Sequence, residues 1–108
     1  MTVIIEHVYN DRNNTIDLLL KANDTAVDLS SVTRMIIADV NGGWSVDEND
    51  SPDAFDRDTG VTGKVIISLG EEDITAGKYR VRLTVYDPTN TDGVIWENPD
   101  DTFIIHVV

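Results

Sequence analysis

The sequence predicts an all-β fold, a sandwich of seven or eight short antiparallel strands, and three observations carry that expectation. Several short segments alternate apolar and polar residues with period two, and their apolar positions are rich in Val and Ile. Clusters of Asn, Asp, Gly, Ser and Thr separate these segments at short intervals. One run, Met35-Ile36-Ile37-Ala38, is apolar on both faces, which suggests a central strand rather than an edge. With 108 residues and no internal repeat, the chain reads as one domain spanning residues 1–108.

Taken in order, residues 2–9 form a first strand, with Val3, Ile5 and Tyr9 on one side and Ile4 and Val8 on the other. Asn10 to Asn14 is a turn by composition. Residues 15–21 give a second strand, with Ile16, Leu18 and Leu20 inward and Thr15, Asp17 and Lys21 outward. Ala22 to Thr25 turns the chain into the short piece Ala26-Val27-Asp28-Leu29. Residues 32–40 are the central strand, where Thr33, the Ile pair and Val40 favour strand over helix. Asn41-Gly42-Gly43 ends it, and Trp44-Ser45-Val46 is a short edge strand. The segment 43–60 is an acidic loop, with Phe55 expected to pin it to the body.

The remaining pattern is the clearest. Val65, Ile67 and Leu69 share one side of a strand, and Tyr79, Val81, Leu83 and Val85 share one side of the next. The link from Asp73 to Tyr79 resembles the E–F corner of an immunoglobulin-like sandwich, in which a tyrosine bonds back to upstream backbone. Where antibody domains place a cysteine two residues later, this chain has Val81. Asp87 to Gly93 is a turn, 94–97 a strand, Asn98 to Asp101 an interruption. Residues 102–108 close the fold, with Phe103, Ile105 and Val107 on one face.

Composition excludes several functions. Twenty Asp and Glu stand against eight Lys and Arg, a net charge of −12, so direct nucleic-acid binding is disfavoured. Cysteine is absent, which removes disulfides, a thiolate nucleophile and most structural zinc sites. The N-terminus lacks a basic region, and no apolar run reaches the ~20 residues of a membrane helix. The chain therefore reads as a soluble protein with no export signal of its own.

Candidate chemistry is sparse. Asp47, Asn49, Ser51 and Asp58 match positions one, three, five and twelve of a Ca²⁺-binding loop. Pro52, however, replaces the glycine that makes the sharp turn, and Asp58 replaces a bidentate Glu. A solvated acidic loop is the competing reading of Asp47, Asn49 and Asp58, with no cofactor. His7 and His106 lie in the two terminal strands and meet if those strands pair, but two ligands make a poor metal site. No serine sits in a Gly-x-Ser-x-Gly elbow. Trp44 and Trp96 offer an aromatic platform for a sugar or a protein, with core packing as the alternative.

Residues 15–86 resemble small structural domains of tailed-phage virions. The shared pieces are Thr15-Ile16-Asp17-Leu18, Ala26-Val27-Asp28-Leu29-Ser30, Gly63-Lys64-Val65, Leu69, and Ala76-Gly77-Lys78-Tyr79. The N-terminal domains of siphophage upper-baseplate proteins are similar, as are head and tail accessory proteins. The acidic 43–60 insertion departs from that pattern. The resemblance implies an immunoglobulin-like, non-enzymatic virion protein docking on capsid, tail or baseplate proteins, with a homo-oligomer as a further option, and without membrane or nucleic acid. The contact surface would then lie on Trp44, Phe55 and the terminal strands. The alternative is an independent carbohydrate- or surface-binding module using Trp44, the acidic loop and Ca²⁺.

Overall fold

Period-two alternation becomes strand at intervals from Thr2 to Val107. The computed structural model describes residues 2–22, 24–96 and 101–108. In order come β1 (Thr2–Val8), β2 (Thr15–Leu19), β3 (Lys21–Ala22), β4 (Thr25–Ala26), β5 (Arg34–Asp39) and β6 (Ser45–Asp47). A 3-10 turn (Pro52–Ala54) precedes β7 (Phe55–Asp56), β8 (Lys64–Ser68), β9 (Gly77–Tyr86), β10 (Val94–Trp96) and β11 (Asp101–Val107). The expected interruption at residues 98–100 lies outside the described residues, as do Glu97 and Asn23.

The strands make an all-β sandwich. One sheet runs β1-β11-β9-β5-β6, with β10 also paired to β9; the opposing sheet is β2-β8-β7. β3 and β4 form a small antiparallel ladder of their own. β9 is the spine. It pairs β5 along one edge, and along the other it pairs β11 first and β10 later. One expectation is corrected: β1 pairs β11 in parallel, from Thr2 opposite Asp101 to Val8 opposite Val107. The first strand joins the large sheet at its margin, beside the closing strand and running the same way, so the sheet is mixed.

The core is the set of inward alternate positions. β2 and β8 contribute Ile16, Val65 and Ile67, and the facing sheet contributes Met35, Ile37, Val81, Leu83, Val85, Ile105 and Val107, all buried. Each such side chain gains about 1.5–3 kcal/mol on leaving water, before the entropy of ordering is set against it. Leu20 and Leu69 are buried just beyond their strands, as the alternation requires.

Between β8 and β9 the chain crosses from one sheet to the other over buried Ile74. Tyr79 Oη donates to the Thr75 carbonyl at 2.5 Å and locks this crossing. Tyr79→Phe removes that bond alone, so urea denaturation should show a loss of about 1 kcal/mol. A loss near zero would mean that water satisfies the carbonyl equally well.

The 43–60 segment differs from expectation. It is a built element, holding β6, the 3-10 turn and β7, and Ala54 and Phe55 are buried within it. Its charges hold it down. Arg57 forks onto Glu48 with Nε and Nη2 at 3.0 and 2.9 Å, and donates from Nη1 to the Val32 carbonyl at 2.8 Å. A solvated acidic loop would leave these groups in water; here one arginine ties the segment to the start of the central strand.

Candidate functional site

The turn that presents Trp44 is made by Asp39, Gly42 and Gly43. Asp39, a buried carboxylate, accepts the Asn41 and Gly43 backbone N–H groups at 3.0 and 3.1 Å. Gly42 takes φ +80° with open space around it, a conformation that only glycine adopts without strain. Trp44 then folds back rather than outward. It packs against the core and meets Tyr79 edge-on, with ring centroids 5.7 Å apart. Its Nε1 is buried without a hydrogen-bond partner.

The three aromatic candidates are not brought together as one open platform. Phe55 is 6 % exposed and belongs to the core. Its role as a plug holds, but a buried ring offers no contact surface to a partner. Trp96 is half-buried against the core and lines a 200 Å³ pocket with Val27, Leu29 and Val85.

Of the Ca²⁺ candidates, the Asp47 carboxylate is engaged within the chain. Asp47 receives Arg34 Nε on Oδ1 at 2.9 Å and Arg34 Nη2 on Oδ2, and Oδ1 also accepts the Asn49 N–H at 3.0 Å. Asp58 donates its backbone N–H to Asp56 Oδ1 at 3.0 Å. Among the described residues no group of three or more His, Cys, Asp and Glu is placed to hold a metal. A groove of 580 Å³ does open beside this segment, lined by Asp28, Glu48, Asp56, Asp58 and Val61 among others.

The Arg34 fork holds the Asp47 carboxyl below the ordinary carboxylate range, with the Asn49 N–H helping and partial burial opposing. The sign follows from linkage: a depressed folded pKa gives stability above the unfolded value, about 3.9, that is lost as pH falls through the folded one. Asp47→Asn should therefore cost about 1 kcal/mol at neutral pH, kept small because Arg34 is partly solvated. The gap between the melting curves of variant and wild type should begin to narrow as pH falls through about 4; a gap that stays constant down to the acid unfolding of the protein would refute the ion-pair account.

His7 and His106 do meet. They are directly paired across β1 and β11, with ring centroids 5.3 Å apart. They sit on the outer face of the large sheet, a surface the sequence reading overlooked. Lys78, Arg80 and Arg82 occupy alternate outward positions of β9, and Arg34 of neighbouring β5 lies over the Tyr86 ring at 5.2 Å. Ile5, Ile36, Ile95 and Ile104 share this face by strand register. The signal was present as Lys78-x-Arg80-x-Arg82, three cations two residues apart in a strand whose other face is core.

Compared with family models, curated protein sequences and solved structures, the chain gives no match. Fold and surface thus define a β-sandwich protein. Among its described residues, no helix is long and apolar enough to cross a membrane.

Proposed function

We propose that this protein is a non-enzymatic bacteriophage virion component, an immunoglobulin-like module docking on a capsid, tail or baseplate scaffold through protein–protein contacts. The immunoglobulin-like reading is supported by the sheet order and by the Tyr79 corner. The virion reading rests on the motif resemblance, whose residues serve as turns and core here. Asp28, for instance, accepts the Ser30 N–H at 2.9 Å to turn the chain.

The observation that carries docking is the margin of the large sheet. β1 is its terminal strand and exposes two successive isoleucines, Ile4 at 40 % and Ile5 at 46 %. An edge strand with apolar side chains on both faces suits addition to a partner's sheet. The test is fractionation of particles on a density gradient, with the protein detected by antibody. Co-migration at a fixed ratio to the major capsid protein is expected, with loss for Ile5→Asp. Protein confined to the soluble fraction would overturn the proposal. The groove favours the second reading, an independent carbohydrate- or surface-binding module, with or without Ca²⁺. A rise in melting temperature with Ca²⁺ that chelator reverses would support it.

A further inference from the structure

The margin of the large sheet is unguarded. Among the described residues several strands have a single neighbour, and β1 is the longest of them. β6, β7 and β10 have three, two and three residues, and β2 has five with the exposed Asp17 at its centre. β1 runs seven residues in unbroken register without proline or lysine, the devices by which open edges avoid pairing. Its backbone has a defined open side. The Val8 carbonyl accepts the Val108 N–H at 2.9 Å, so Val8 turns its bonding groups towards β11. Successive residues of an extended strand turn theirs to opposite sides. Ile4 and Glu6 therefore bond β11 as well, and Val3, Ile5 and His7 direct their N–H and C=O groups away from the sheet.

We propose that this edge pairs with β1 of a second copy of the same chain, antiparallel across a two-fold axis at Ile5. This rests on the edge-docking reading above and names its partner strand. The register selects a second copy. With Ile5 opposite the partner's Ile5, Val3 falls opposite the partner's His7, and His7 opposite the partner's Val3. All the outward residues then form hydrogen-bonded pairs, each exchanging both of its bonds, and none of their groups is left over. A shift of one pair in one direction sets Glu6, the single charged residue of β1, against its own copy, where like charges repel. The opposite shift carries His7 past Thr2, where β1 begins. In the central register Glu6 lies opposite Ile4. Ile5, 46 % exposed in the single chain, meets its own copy as an apolar cross-strand pair. Each copy carries a net charge of −12, but at about 0.15 M salt the screening length is about 8 Å, which leaves local contacts to decide. Such a contact is isologous and closes at the dimer.

Sedimentation equilibrium at about 0.15 M salt, up to about 1 mM protein, reads the mass. It should rise from 12.0 kDa to twice that value and no further. Amide hydrogen exchange followed by NMR over the same concentrations reads the strand. The Val3, Ile5 and His7 amides should slow at least about tenfold with concentration, while those of Ile4, Glu6 and Val8, already bonded to β11, change little. Ile5→Lys sets like charges face to face and should weaken association at least about tenfold. If that variant folds poorly, the exchange of the wild-type amides still decides. A monomer at the highest concentration would overturn the proposal. So would a mass beyond the dimer, or a dimer whose Val3, Ile5 and His7 amides exchange as fast as in dilute protein. Fractionation separates this from virion docking. A monomer that co-migrates with particles would give the edge to a scaffold strand, overturning the second copy alone. A dimer absent from particles would uphold the pairing and overturn the virion reading.

Discussion

Gly70→Ala should be the most damaging single-methyl change in this protein. A Cβ at Gly70 would stand 2.1 Å from the Arg12 carbonyl oxygen and 3.0 Å from that of Tyr9. Both obstacles are backbone, and they cannot swing aside as a side chain would. The 9–12 turn is fixed where it is. Asp11 donates its N–H to the Gly70 carbonyl at 2.8 Å, Asn10 Nδ2 donates to the Ile74 carbonyl at 3.0 Å, and Asp11 already sits at φ +61°. Relief requires moving the turn off the β8–β9 link, at a cost of about 3 kcal/mol or more. At roughly 5 °C per kcal/mol, the melting temperature should fall by about 15 °C. Gly42→Ala is the control: its φ of +80° is strained for alanine but nothing lies within 4 Å, so about 1 kcal/mol is expected. Equal losses at the two sites would show that close approach at Gly70 is not the constraint.

Phe55→Ala should cost about 3–5 kcal/mol, the range for emptying a buried aromatic site. The ring enters the core from β7, directly opposite Ile67, itself fully buried on β8. Buried Ala54 precedes it, and Pro52 opens the 3-10 turn that aims the pair inward. A large drop in the urea midpoint is the expected result. A change below 1 kcal/mol, together with loss of partner binding, would instead restore Phe55 to the contact surface that the sequence suggested.

Alternation made the sheets legible, because each core strand has one wet face. Val65-Ile66-Ile67 and Val81-Arg82-Leu83-Thr84-Val85 announce both strand type and inward side. The tyrosine corner was legible for a different reason: a short acidic link ending in Gly77-Lys78-Tyr79 has few other uses. What stayed hidden depends on contacts across sequence. The parallel pairing of β1 with β11 joins segments from opposite ends of the chain, and nothing local specifies its direction. The 47–60 segment reads as solvated because six of its side chains are acids. Its order comes from Arg57 reaching Glu48 and the Val32 carbonyl, and from Arg34 gripping Asp47. The row of Lys78, Arg80 and Arg82 was missed because those residues were read individually as the outward half of an alternation.

The pairing of β1 with β11 also governs how the molecule bears load. Because the two strands run the same way, the start of β1 and the end of β11 lie at opposite poles of the sandwich. Tension applied between those poles drags one strand along the other instead of peeling them apart. Seven registered residue pairs resist together, from Thr2 with Asp101 to Val8 with Val107. A further bond from the Val108 N–H to the Val8 carbonyl closes the far end at 2.9 Å. Reversing the direction of β1 would let the same bonds open one at a time under far smaller force. The mixed sheet thus makes the domain a shear clamp between whatever is attached at its two poles.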